Sequence, residues 1–326
     1  MTRKFPRRAL VPYGITLLSM MSTAVLADAA EFAYVGNQES GTVSLIDTSN
    51  DQVTRTLPDQ GKIGAKVQAV VTDRTGKTSF VIDANSDALI AVDVASGQVK
   101  QRIDVGKSPE GASLSPSGKS IAVCVEDDNV VTFVDVATEK VTQKIKTQGK
   151  NPEHCVYSSD AKWLMTSNEK SDDVDIIDLK AARSVALVHT SGHPRGIAWL
   201  PNKPIAYVVQ ESAGGVDVVD VDKRAVIETI HTGLRPADAL AGLDGKLVFV
   251  SNGGDGTISV IDTASRKVVA TIPVGKRPWN MALTRDGKKL YVANGRSNSV
   301  SVIDTVRLAA IKEIAVGELP WGVSIP

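Results

Sequence analysis

Cysteine is scarce in this chain: Cys124 and Cys155 are the only two, and neither stands in a CxxC or CxxCH pattern. A thioredoxin-like dithiol and covalent haem attachment are therefore excluded, while one disulfide and two buried thiols both stay open. Aromatic residues make up 4% of the chain against 42% hydrophobic residues overall, so the apolar content is mostly Val, Ala, Ile and Leu. Its β-branched share favours strands. There is no GxSxG elbow, no P-loop and no dinucleotide fingerprint. The glycine-rich NGGDG at 252–256 joins two strand-like runs and lacks the helix N-terminus that a phosphate site needs. Of the four histidines, His154, His189, His193 and His231, none forms HxH or HExxH. His154 and His193 are the pair best placed to meet, which is too few for a zinc site. VEDDN and NEKSDD lack the ligand spacing of a calcium loop. No catalytic residue, metal or cofactor is assigned on these grounds.

Net charge is absent too, with 37 basic and 37 acidic residues. The N-terminus, however, is lopsided. MTRKFPRR carries four basic residues, an apolar run follows from about Ile15 to Ala27, and small residues close it in AVLADAA. This is the pattern of a secretory signal peptide, and the expected division is residues 1–29 as leader and 30–326 as the mature, periplasmic protein with no membrane attachment. Pro12 and Gly14 leave the run marginal for spanning a bilayer. Without the leader the chain is slightly acidic and has no bulk attraction for nucleic acid or anionic lipid.

What the sequence has in abundance is repetition. VSLID, LIAVD, VTFVD, VDIID, VDVVD, ISVID and VSVID end at Asp47, Asp93, Asp135, Asp178, Asp220, Asp262 and Asp304, a period near 42 residues. Each repeat holds four short apolar runs separated by turn chemistry such as Asp286-Gly287, and no helical periodicity. Four antiparallel strands per repeat describe a propeller blade. The repeated Asp reads as a turn-closing side chain that accepts a backbone N–H. The polar residues ten positions earlier, Asn37, Asp83, Asn168, Gln210, Asn252 and Asn294, read as structural strand ends. EFAYVGN matches a second strand and LPWGVSIP a first strand, so the fold class is an all-β, seven-bladed β-propeller closed by the C-terminal strand joining the N-terminal blade.

The stretches LYVANGRSNSVSVID, VVATIPVGKRPWNMALTRDGKKLYVANG and VGELPWGVSIP resemble the YVTN family of β-propeller repeats over essentially residues 32–326. The final VGELPWGVSI is most similar to the exported members associated with pyrroloquinoline quinone (PQQ) dependent alcohol catabolism. The resemblance implies a non-enzymatic binding or scaffold protein of the cell envelope, accessory to oxidative catabolism.

Function is then expected where the loops leading into the inner strands crowd the axis. These loops read Gly-x-x-Pro at Gly106, Gly149, Gly233, Gly275 and Gly317. Lys62, Lys66, Lys107, Lys150, Arg195, Arg235, Lys276 and Arg277 lie in or just after them, against Glu110, Glu153, Asp238 and Glu318. The outer loops of that face are rich in Asp and Glu, among them Glu126, Glu169 and Glu211, against Lys170 and Arg296. A cationic mouth ringed by an acidic rim would draw in a small anion or a basic protein partner. Trp279 and Trp321 follow the loop prolines and either pair with the neighbouring cations or pack between blades. The candidate ligand-binding set is Trp279, Trp321, Arg195, Lys276, Arg277, Arg235, Glu153, His154 and Asn280. A quinoprotein or lactonase-like enzyme is the alternative. Binding of single-stranded nucleic acid is a third reading, disfavoured by the acidic rim.

Overall fold

In the computed structural model the described residues are 1–3 and 30–326, and the body of the expected leader, 4–29, lies outside them. The described chain forms seven four-stranded antiparallel sheets built from strands β1–β28 in chain order, with one short 3-10 turn at Ala84–Ser86. The first sheet orders β28 (Pro320–Ser324), β1 (Phe32–Asn37), β2 (Thr42–Asp47) and β3 (Gln52–Leu57). The C-terminal strand is thus the inner strand of the N-terminal blade. Tyr34 pairs with Ser324, Val35 with Val323 and Gly36 with Gly322. Blades two to seven run consecutively over 67–104, 109–146, 152–189, 194–231, 236–273 and 278–315.

Burial explains why the middle strands are so apolar. Each sheet is covered on both faces by its neighbours, so second and third strands such as β1 and β2 are buried almost throughout, while outer strands such as β3 are largely exposed. The core divides into seven apolar clusters, one at each blade junction. Tyr291, Val300 and Val302 of the last blade pack on Ala33, Val35 and Ile46 of the first, which seals the ring. Cys124 and Cys155 share the junction of the third and fourth blades, both free and buried. Burial, followed by the neighbouring Cys155, pushes the Cys124 thiol up.

The repeated aspartates close turns. Asp47 Oδ1 accepts the Ser49 N–H at 2.8 Å, and Asp135 and Asp262 accept N–H groups three residues on. The strand-end asparagines stitch the second strand to the third: Asn294 donates to Ser299 and Ser301, and Asn252 to Thr257 and Ser259. The glycine of the following inner-strand loop rests on that amide. A Cβ on Gly275 would lie 2.6 Å from Asn294 Cγ, and one on Gly317 would lie 2.6 Å from Asn37 Cγ. Glycine is required there by close approach.

Candidate functional site

The inner strands carry the site. They are β4 (Val67–Thr72), β8 (Pro109–Leu114), β12 (Pro152–Tyr157), β16 (Pro194–Trp199), β20 (Pro236–Ala241), β24 (Pro278–Leu283) and β28. In all seven the pairing slips just after the first residue. A bulge leaves the second residue out of the ladder and re-aims its side chain. These second residues are Gln68, Glu110, Glu153, Arg195, Ala237, Trp279 and Trp321.

A second ring meets the first. The residue after each second strand donates its N–H to a carbonyl of the loop leading into the inner strand. Glu126 reaches Ser108, Glu169 reaches Asn151 and Glu211 reaches His193, each at 3.0 Å. Gly253 and Gly295 do the same toward Arg235 and Arg277. Three glutamates assigned from sequence to the outer rim are therefore drawn into the mouth. The missing side chains on the other two make room: a Cβ on Gly253 would lie 2.8 Å from Arg277 Nη1, and one on Gly295 would lie 2.5 Å from the Trp279 ring.

Together the rings form a continuous ion-pair network. Arg195, with its side chain 13% exposed, is paired with Glu153 and lies 2.9 Å from Glu211 Oε2, 3.6 Å from Glu169 and 4.0 Å from Glu110. It thereby links the third, fourth and fifth blades. Glu211 turns its other oxygen to Arg235 at 2.8 Å and Arg277 at 3.2 Å, reaching the sixth and seventh. His193 bridges Glu169 at 3.1 Å and Glu211 at 3.5 Å. Burial would raise the Glu211 carboxyl, but Arg195 and the hydrogen bonds of Arg235 and Arg277 bring it down to about 2. Glu153 goes the other way: burial pushes it well above the carboxylate range against the pull of Arg195. Glu126 is raised to about 7, first by burial and then by Glu110, with which it shares a hydrogen bond.

The expected cationic funnel is corrected by this geometry. Glu110, Glu126, Glu153, Glu169 and Glu211 outnumber Arg195, Arg235 and Arg277 at the mouth, which therefore has no cationic excess. Lys62, Lys107, Lys150 and Lys276 are exposed and form no ion pair with the network. The reason is backbone bonding: the tie between the two loops of each blade carries the rim glutamates inward.

The remaining candidates divide by depth. Trp279 is half-buried with the Arg277 guanidinium carbon 5.9 Å from its ring centroid. Trp321 is 5% exposed and packs in the core, so it is not an exposed recognition aromatic. Its indole lies parallel to the His154 imidazole, with centroids 6.0 Å apart. His154 is kept neutral, its pKa lowered to about 3 by burial and then by Arg195. His154 and His193 are not brought together on a common metal; among the described residues no group of three or more His, Cys, Asp or Glu is placed to hold one. Asn280 lines an axial cavity of about 230 Å³ together with Asp238, His154 and Trp321.

Sequence reasoning missed Glu126, Glu169 and Glu211 as mouth residues. Aligning the position after the last residue of the second strand in every repeat, which reads Gln38, Ala84, Glu126, Glu169, Glu211, Gly253 and Gly295, would have exposed them as a ring.

This architecture has relatives. The profile of the family "Lactonase, 7-bladed beta-propeller" matches residues 28–309, and the chain belongs to that family. No curated protein matches the sequence. Among solved structures, the chain is similar to a periplasmic gluconolactonase of Pseudomonas aeruginosa, with 19% identity, a TM-score of 0.74, and coverage of 91% of this chain and 99% of that one. A functionally unknown protein of Desulfotomaculum acetoxidans gives 13% identity and a TM-score of 0.78 over 91% and 99% of the two chains. Hydrazine synthase of Kuenenia stuttgartiensis gives 22% identity and a TM-score of 0.70 over 79% and 89%. At these identities the likeness is one of fold.

Proposed function

We propose that the axial mouth binds a small, uncharged, oxygen-rich ligand of the lactone or polyol class, and that the protein serves in the periplasm as a binding protein for it. One observation carries this reading. Glu153, Glu169 and Glu211 are already paired with arginines, yet Arg235 and Arg277 spend only part of their N–H groups, all on one oxygen of Glu211. A carbonyl oxygen can accept the remaining N–H groups, and ligand hydroxyls can donate to Glu169 and Glu211. A free anion would meet five glutamate side chains against three arginines. The membership in a lactonase family and the likeness to a gluconolactonase favour the same ligand class. The basic, apolar and small-residue pattern of 1–29 supports export. The resemblance to exported YVTN-repeat proteins supports a place beside PQQ-dependent alcohol catabolism.

A second reading, hydrolysis of the bound lactone, is favoured by the Glu110–Glu126 carboxyl pair. A carboxyl held at about 7 can act as general base and acid near neutral pH. Titration calorimetry with gluconolactone and sorbitol, alongside a lactonase assay, tests both. Wild type should bind, and Arg277→Ala should weaken binding at least tenfold. If turnover occurs, its pH profile should rise near 7 and flatten in Glu126→Gln. Absence of heat and of turnover with either probe overturns the proposal.

A further inference from the structure

The axial cavity is separate from the mouth. Its lining comes from all seven inner strands, from β4 to β28, and includes none of Arg195, Glu153, Glu211, Arg235 or Arg277. Most of the wall is apolar, with Val70, Ile197, Leu240 and Met281 among the contributors, and Trp321 supplies a flat aromatic face.

Into this apolar space the chain puts polar groups that it does not satisfy. The Asn280 amide bonds the Asp238 carboxylate, leaving the buried Asn280 Oδ1 without a donor. Ser113 Oγ is likewise buried and unpartnered. Asp238 receives the Met281 N–H at 3.2 Å, and burial raises its pKa to about 6. Space for that carboxyl is kept by Gly196, where a Cβ would lie 2.4 Å from Asp238 Oδ1. Orphaned buried acceptors cost stability, and the two that belong to residues lining this cavity can be satisfied by a donor that arrives from outside.

We propose that the axial cavity is a second binding site, for a compact ring bearing a hydroxyl group, of the phenol or cyclic-alcohol class. The volume fits, since an apolar cavity of about 150 Å³ accommodates benzene and this one holds about 230 Å³. The hydroxyl donates to Asn280 Oδ1, the acceptor left without a partner, and the ring lies against the apolar wall and the Trp321 indole. Because none of the ion-paired residues Arg195, Glu153, Glu211, Arg235 and Arg277 lines the cavity, the site does not depend on the function proposed for the mouth.

The test uses the full chain with phenol and benzene as probes, followed by ligand-observed NMR and calorimetry. Phenol should bind at least tenfold more tightly than benzene, which has the same ring and no donor. Asn280→Leu should abolish that preference, and Ala239→Phe, which fills the space, should remove binding of both. Arg277→Ala should weaken the mouth ligand and leave phenol unchanged, so failure at one site is readable apart from the other. Melting curves identify any variant that does not fold, and the benzene–phenol comparison on wild type stands without the variants. Equal affinities for the two probes, a preference that persists in Asn280→Leu, or a cavity that holds water only would each overturn the proposal.

Discussion

Glu211 accepts from three arginines that come from three different blades, and its removal leaves Arg235 and Arg277 without a carboxylate while Arg195 keeps Glu153. Breaking a buried ion pair by removing one partner costs about 3 to 5 kcal/mol; Glu211→Ala should fall near the lower end, because Arg235 is largely solvent-exposed and can relax. Thermal melting at neutral pH measures it. The pH dependence has a definite sign. Glu211 falls from an ordinary 4.5 to about 2 on folding, so its contribution is fully present above 4.5 and is lost as pH drops from 4.5 towards 2. Glu126 rises from 4.5 to about 7, so its contribution is present below 4.5 and is lost as pH climbs from 4.5 to 7. Glu126→Gln should therefore raise the melting temperature relative to wild type at pH 8 and leave it nearly unchanged at pH 4. A variant equally stabilised at both pH values would show that the carboxyl is not the cause.

At the scale of the element, the stitched strand end is the repeating device. Asn294 holds Ser299 at 3.2 Å and Ser301 at 2.8 Å inside the blade, and Gly275 rests on its amide. Asn294→Ala removes the donor to both hydroxyls, leaves Ser301 without a partner while Ser299 keeps Glu313, and should cost about 1 to 3 kcal/mol. Gly275→Ala forces a methyl into the space of the Asn294 side chain and should destabilise by about 1 to 3 kcal/mol, as overpacking does. Urea unfolding of the two variants decides both, and an alanine at 275 that is neutral would disprove the close approach. The turn aspartates and strand-end asparagines were readable in advance, because they act within a few residues of their own position, whereas the approach of Gly275 to Asn294 joins two separate loops. The bulge in every inner strand was not readable either. It is a mismatch between two strands that no single strand displays, and it aims Arg195, Glu153 and Glu110 at the axis.

For the whole molecule, closure is the decisive property. The last strand pairs with β1, Val323 enters the cluster between the last and first blades, and Thr72 donates its N–H to Ser324 at 3.1 Å. At the seam, Arg285 Nε donates to the Pro326 carbonyl while its backbone N–H donates to Glu31, binding both ends of the described chain. Deleting 320–326 removes an inner strand and exposes the edge of β1, and the melting temperature should fall by more than about 10 °C, as loss of several buried side chains implies. Calorimetry of the truncated chain checks this, and an unchanged transition would mean that the ring does not need its clasp.

The period of 42 residues, the four runs within it and the complementary chain ends determined the propeller and the blade count, because strand alternation and turn chemistry are local and repeat with the sequence. Only the tertiary structure decided the charge of the mouth. Glu126, Glu169 and Glu211 lie in loops that a one-dimensional reading puts on the rim, and a backbone hydrogen bond to the neighbouring loop carries each of them to the axis. The same holds for Trp321, which follows a loop proline as Trp279 does. The blade in which each stands determines that Trp321 packs in the core beside His154 while Trp279 remains partly exposed under Arg277. Electrostatics at an axis where seven strands converge depends on which side chains face each other across blades, and that relation exists only once the ring has closed.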